Sequence, residues 1–96
     1  MAYEQIDFIL KPWAESLNLH IFKDFCGQEY RFLYVTNSKN DCYQINIEYK
    51  GNSEFCISIS FIDGDNANEG YEHHIPTSIE KLSSALSEAY TKVLSL

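Results

Sequence analysis

The chain has 96 residues, of which 45% are hydrophobic, so we expect a single domain with its own apolar core. Its 14 acidic and 7 basic residues give a net charge of −7, which argues against direct binding to nucleic acid because phosphate binding relies on clustered Lys and Arg. Three cysteines without paired spacing argue against a disulfide scaffold, and no segment is apolar enough to span a membrane, so we expect a reduced, cytoplasmic protein.

Residues 4–18 are predicted to form the first helix. One apolar stripe recurs at helical spacing, through Ile6, Ile9, Leu10, Trp13 and Leu17. Pro12 does little damage if Asp7 caps the helix, and it predicts a kink if the helix starts near Tyr3. Asn18 is the predicted exit.

Two strands are predicted next, over residues 19–25 and 30–36, with Gly27 in the turn between them. In the second strand both faces are largely apolar: Tyr30, Phe32 and Tyr34 share one face, and Arg31, Leu33 and Val35 lie on the other. Either the domain covers both faces, or large aromatic side chains stand on an exposed surface. A turn cluster at 37–41 follows.

Residues 42–62 alternate apolar and polar side chains on both sides of a central turn, which predicts a β-hairpin with one buried face. A three-residue loop at 51–53 keeps the apolar sets on the same face, whereas a one-residue slip would reverse every side chain. The predicted cross-strand pairs are Tyr49 with Phe55, Ile47 with Ile57, Ile45 with Ile59, Tyr43 with Phe61, Lys50 with Glu54, Cys42 with Ile62 and Cys56 with Glu48.

An acidic loop of about a dozen residues is predicted after Ile62, and a loop of that length in a small domain is either mobile or functional. Thr77 and Glu80 match a capping box, which predicts a C-terminal helix that runs to about Ser95. The predicted fold is therefore α+β, in the order α-β-β-β-β-α: a four-stranded antiparallel meander with both terminal helices packed on one face.

Few residues suggest chemistry. The loop from Asp63 does not match the spacing of a calcium-binding EF-hand. His73 and His74 are adjacent and lack metal-ligand spacing, and the neighbours of Cys26 are acidic, which disfavours a reactive thiol. We expect no metal, no cofactor and no catalytic activity.

The remaining candidate is a surface. If Leu33 and Val35 join the core, the aromatic side chains of the second strand project from the other side of the sheet, beside the polar face of the hairpin. Aromatic side chains ringed by acids suit a protein-binding face, where tyrosines anchor the partner and charges steer it. The predicted partner-binding residues are Asp24, Tyr30, Tyr34, Glu48, Asp63, Asp65, Glu69 and Glu72. The alternatives are that this side is the core of a homodimer, or that the two faces are exchanged.

In its size, acidity, reduced cysteines and helix-plus-meander plan, the chain resembles the immunity proteins of bacterial contact-dependent growth inhibition and polymorphic toxin systems. The resemblance implies that the chain binds a cognate toxin, often a basic nuclease, and blocks its active site. It extends over the whole chain as a pattern and carries no motif, so no residue role follows from it.

A second resemblance is to the chaperones of type III secretion, which are small acidic dimers with an N-terminal helix, a sheet and a C-terminal helix. Residues 19–27, Leu-His-Ile-Phe-Lys-Asp-Phe-Cys-Gly, are similar to their early strand. Those chaperones carry a further helix within the sheet, and this sequence predicts none. The alternative function is therefore that of a dimeric chaperone for a secreted effector.

Overall fold

A computed structural model describes residues 3–25, 27–64 and 71–96. They form helix α1 (Glu4–Ser16), strands β1 (Phe22–Phe25), β2 (Gln28–Thr36), β3 (Cys42–Gly51), β4 (Glu54–Asp63) and β5 (Glu72–Ser78), a 3₁₀ turn (Ile79–Lys81) and helix α2 (Leu82–Ser95). The strands pair in sequence order, each antiparallel to its neighbours, so the sheet is a meander with β1 and β5 at its edges. The predicted α+β class is confirmed, with five strands instead of four.

Both helices pack on one face of the sheet, as predicted. The buried side chains of β3 and β4 come from alternate positions, and Ile45, Ile47, Ile57 and Ile59 are completely buried. The core cluster also includes Leu33, so the side of β2 that faces the helices is the one that carries Leu33. No helix within the described ranges is both long enough and apolar enough to cross a membrane.

Helix α1 buries Ile6, Leu10 and Ala14 and ends in a reversal of the backbone. Asn18 has a φ of +59°, a conformation that Asn tolerates, and the Leu19 N–H donates to the carbonyl of Ala14 at 2.9 Å. The predicted exit at Asn18 is therefore confirmed. Pro12 lies inside the helix on its exposed side, where water can bond the carbonyl that proline leaves without a donor.

The predicted register of the central hairpin is confirmed across its apolar face. The pairs are Tyr43–Phe61, Ile45–Ile59, Ile47–Ile57 and Tyr49–Phe55, and Cys56 lies opposite Glu48 as predicted. At the open end of the hairpin the register shifts, so Cys42 lies opposite Asp63 and the predicted pairing with Ile62 is wrong. Cys42 and Cys56 are free thiols.

The turn of this hairpin is tighter than predicted. Gly51 pairs with Glu54, and both residues between them, Asn52 and Ser53, have positive φ, which matches the right-handed twist of the two strands. A register shift between Tyr49 and Gly51 absorbs Lys50 as an extra residue and so preserves the apolar pairs. The predicted Lys50–Glu54 pair is therefore wrong.

Strand β5 is the element that the sequence did not predict. It pairs with β4 from Ser60–Glu72 to Glu54–Ser78. The Phe61 N–H donates to the carbonyl of Tyr71, and because hydrogen-bonding positions alternate along an antiparallel ladder, the nitrogen of Pro76 points to the free edge. Proline is tolerated at such a position, since no ladder bond is lost.

The capping-box prediction is wrong for the same reason. Thr77 is part of β5, and its hydroxyl donates to the carbonyl of Ser78. The ladder with β4 holds the backbone extended to Ser78, which leads into the 3₁₀ turn without a side-chain cap. Helix α2 then starts at Leu82.

A candidate protein-binding face

One face of the sheet is not covered by the two helices; we call it the helix-free face. Its aromatic half consists of Phe22, Tyr30, Phe32 and Tyr34, and its polar half consists of Gln44, Asn46, Glu48, Ser58, Ser60, Glu72 and His74. Cross-strand rows join the two halves, one of them running from Phe22 through Phe32, Asn46 and Ser58 to His74. This answers the question left open by β2: Leu33 and Val35 face the helices, and its aromatic side chains face away.

The four aromatic rings form one contiguous cluster. The rings of Phe22 and Phe32 are stacked with centroids 5.0 Å apart, and Tyr34 meets both edge-on at 5.6 and 5.7 Å. Tyr30 lies 6.2 Å from Phe32 on the other side. The neighbouring rings leave only 5% of Phe32 exposed, whereas Phe22 is 38% and Tyr34 41% exposed. The result is a contiguous apolar platform in which Phe22 and Tyr34 are open to solvent.

A register shift in the edge strand β1 ends the aromatic platform at Phe22. Phe22 pairs with Phe32, and a regular ladder would then place Asp24 opposite Tyr30. The register shifts between Phe22 and Asp24, so that Asp24 lies opposite Glu29. Asp24 is exposed at this edge and is not brought beside Tyr30.

The other predicted partner-binding residues fall into three groups. The β2–β3 ladder pairs Arg31 with Ile47, and the next position along the two strands brings Glu48 beside Tyr30. Tyr34 shares a cross-strand row with Glu72, which lies three strands away, roughly 14 Å at the usual strand spacing. Asp63 ends β4, where its carboxylate accepts the N–H of Gly64. The predictions at Asp65 and Glu69 lie outside the described residues.

Hydrogen bonds order the polar half. The Gln44 amide donates to the Asn46 side-chain carbonyl at 2.6 Å. On the neighbouring strands, Ser58 Oγ lies 3.0 Å from His74 Nδ1, and His74 Nε2 lies 3.3 Å from the Glu72 carboxylate. These amide and hydroxyl groups offer both donors and acceptors to a partner.

The Ser58–His74–Glu72 chain was not predicted, because it forms only when β5 pairs with β4. If the Glu72 carboxylate accepts a hydrogen bond from His74 Nε2, then His74 Nδ1 accepts the hydrogen bond of the Ser58 hydroxyl. Nucleophilic triads have the same order of serine, histidine and carboxylate, but with the roles of the two ring nitrogens exchanged. Here more than half of the His74 and Glu72 side chains is exposed on an open sheet. The contacts of His74 with Ser58 and Glu72 connect β5 to β4 on the helix-free face.

Charge on the helix-free face is partly balanced by local pairs. Lys50 Nζ lies 2.7 Å from the Glu48 carboxylate, and both side chains are exposed. Burial raises the pKa of the Tyr30 hydroxyl, and the negative charge of Glu48 raises it further. Tyr30 is therefore a neutral hydrogen-bonding group beside a carboxylate.

A buried arginine, whose burial was not predicted, lies on the opposite side of the sheet. Arg31 is 3% exposed among apolar neighbours, and its guanidinium is held by Asp7 of α1. One signal was present: a single charged residue alternates with Leu33 and Val35 on the core side of β2, and a buried charge requires a partner.

A concave feature lies on the same side as this arginine. It is a groove of about 250 Å³ between α1 and residues 19–23, with Leu10 and Ile21 in its walls and Lys11 and Lys23 among its charged residues. His20 connects it to the aromatic cluster, because its ring meets Phe22 edge-on at 4.6 Å.

Within residues 3–25, 27–64 and 71–96, no group of three or more His, Cys, Asp or Glu side chains is arranged to hold a metal ion. Comparison with known proteins gives no assignment: no protein-family model matches the chain, and neither curated proteins nor solved structures give a significant match.

Proposed function

We propose that this protein is an immunity protein: it binds a cognate bacterial toxin, a basic domain of the nuclease type, and neutralises it by covering its active site. The observation that carries the proposal is the helix-free face, where a contiguous cluster of four aromatic rings adjoins a set of amide and hydroxyl side chains. Aromatic side chains are enriched at protein interfaces, and antibody paratopes combine Tyr with Ser and Asn, which supply contact area and adaptable hydrogen bonds at low entropic cost.

Charge supports the same conclusion. A net charge of −7 attracts a basic domain and speeds its association, while it disfavours a second copy of the same chain. Glu48 and Glu72 lie on the helix-free face, and Asp24 and Asp63 lie at ends of its strands. A nuclease active site that binds phosphate is cationic, so an acidic surface complements it.

The mechanism is stoichiometric occlusion in the bacterial cytoplasm, with no catalytic step by this chain. Neutralisation then requires one molecule of this protein per toxin molecule, and the duration of the inhibition increases with the lifetime of the complex. A binding face that is ordered beforehand loses less conformational entropy on binding, and the mutual ring contacts of the aromatic cluster favour such order.

The test is co-expression with the toxin domain encoded immediately upstream of this chain. We expect rescue of growth and a 1:1 complex by light scattering. Tyr34→Ala should weaken the complex by roughly tenfold or more, since truncation of a central tyrosine typically removes a substantial part of the binding energy. Phe8→Ala is the matched control, because Phe8 is an exposed aromatic side chain on helix α1, away from the helix-free face, and it should bind normally.

The proposal fails if the neighbouring gene encodes no toxin and no rescue occurs. A stable homodimer of the isolated chain, broken by Tyr34→Ala, would instead assign the helix-free face to self-association, as in the secretion-chaperone alternative.

A further inference from the structure

The protein already holds one guanidinium group in a defined way. The carboxylate of Asp7 accepts two hydrogen bonds from Arg31, at 2.9 and 3.1 Å, and the Arg31 Cζ lies 5.4 Å from the centroid of the Tyr3 ring. The planar group thus meets a carboxylate at its edge and an aromatic face beside it. Both contacts match the chemistry of arginine better than that of lysine.

The helix-free face contains the same two components. The β2–β3 ladder pairs Arg31 with Ile47, so Tyr30 and Glu48 are neighbours at the next position along the two strands, and the charge of Glu48 acts on the Tyr30 hydroxyl. Tyr30 is half-buried and fixed by ring contacts to Tyr3 and Phe32, both 6.2 Å away. A carboxylate and a fixed aromatic ring therefore lie next to each other on the surface that the helices leave open.

The cation now paired with this carboxylate is replaceable. The side chains of Lys50 and Glu48 are 51% and 43% exposed, and exposed pairs of this kind contribute little to stability. An arginine fork makes two parallel hydrogen bonds to a carboxylate where a lysine makes one, so an incoming guanidinium can displace Lys50 from Glu48.

We propose that Glu48 and Tyr30 form a receptor for an arginine side chain of the protein partner. The Glu48 carboxylate accepts the two hydrogen bonds of the guanidinium, and the Tyr30 ring lies beside it. This inference rests on the proposed function and names the contact that recognises the basic partner. The net charge of −7 favours a cationic occupant, and it opposes a second copy of this acidic chain.

The test uses the free protein and a small probe. The ¹⁵N-labelled chain is titrated with N-acetyl-arginine-amide and, separately, with N-acetyl-lysine-amide, which carries the same charge. We expect changes in amide chemical shift centred on Tyr30 and Glu48, with millimolar affinity. The arginine probe should bind roughly threefold to tenfold more tightly than the lysine probe, because a stacked, bidentate guanidinium has only a modest advantage at an open site.

Three variants make the result specific, and all alter exposed side chains, so the fold should persist. Glu48→Gln should abolish the localised shifts. Glu54→Gln changes the net charge by the same amount on the neighbouring strand and should leave them intact. Lys50→Gln should strengthen binding, because it removes the competing cation from Glu48.

The inference is overturned if both probes bind equally, if the shifts spread over the exposed acids, or if Glu48→Gln binds like the parent chain. Toxin binding separates this failure from failure of the proposed function. A toxin complex that forms normally with Glu48→Gln would overturn the arginine receptor and leave the immunity role standing.

Discussion

Arg31 and Asp7 join the first helix to the sheet through a pair of parallel hydrogen bonds. Arg31 Nε and one of its terminal nitrogens donate to the two carboxylate oxygens of Asp7, and the other terminal nitrogen donates to the carbonyls of Tyr30 and Lys23. Glu29 lies 3.5 Å from the same guanidinium. Because the arginine is buried, these acceptors replace the water that it loses, and they fix where α1 crosses the strands.

Removal of the carboxylate should destabilise the fold. Asp7→Ala leaves the buried Arg31 guanidinium without its main acceptor. We expect the free energy of unfolding to fall by about 2–4 kcal/mol. This is less than the loss expected for a fully buried pair, because the Asp7 side chain is 30% exposed. Urea denaturation followed by circular dichroism measures it. Glu15→Ala removes an exposed acid from the same helix and should change stability by no more than about 0.5 kcal/mol.

The same pair predicts an acid-sensitive stability. The hydrogen bond from Arg31 holds the pKa of the Asp7 carboxyl below its ordinary value of 3.8. A carboxyl with a lowered pKa in the folded state stabilises the protein above its ordinary pKa, and this stabilisation disappears as the pH falls through the lowered value. The urea midpoint should therefore drop from about pH 4 downward. In Asp7→Asn the urea midpoint should fall less over the same pH range. If the urea midpoint depended on pH equally in the two proteins, Asp7 would not be the source of the acid sensitivity.

The central part of the fold could be predicted because its signal is local and redundant. Ile45 and Ile59, like Ile47 and Ile57, alternate with polar residues over the whole hairpin, and any other register would expose them. Strand β5 has no such signal. Of its seven residues only Ile75 is strongly apolar, and Thr77 with Glu80 suggested the start of a helix instead.

The candidate site was predictable in outline only. Alternation placed Tyr30 and Tyr34 on the face opposite Leu33, and the sequence predicted that Glu48 would lie on that side. The contact of Arg31 with Asp7 spans 24 residues and leaves no periodic trace. Side-chain partners of that kind depend on the angle at which a helix crosses the sheet, which no spacing in the sequence specifies.

The hairpin turn offers a stabilising substitution. Ser53 has a φ of +63°, a left-handed conformation that serine adopts at a cost, whereas glycine adopts it freely. Ser53→Gly should raise the free energy of unfolding by about 0.5–1 kcal/mol. Ser53→Ala retains the steric penalty and should bring no gain. Chemical denaturation of the three proteins decides the matter, and equal stabilities for Gly and Ala would show that the turn is not strained at this position.

Replacement of Pro76 should allow the free edge of β5 to pair with other chains. The nitrogen at this position points away from β4, so Pro76→Val adds an unpaired N–H donor and a β-forming side chain to an edge that proline protects. We expect concentration-dependent self-association, measured by sedimentation velocity, with little loss of stability. Ser78→Val adds an apolar side chain on the same strand, where a donor already exists, and should associate less. If the two variants behave alike, added hydrophobic area and not the restored donor governs association at this edge.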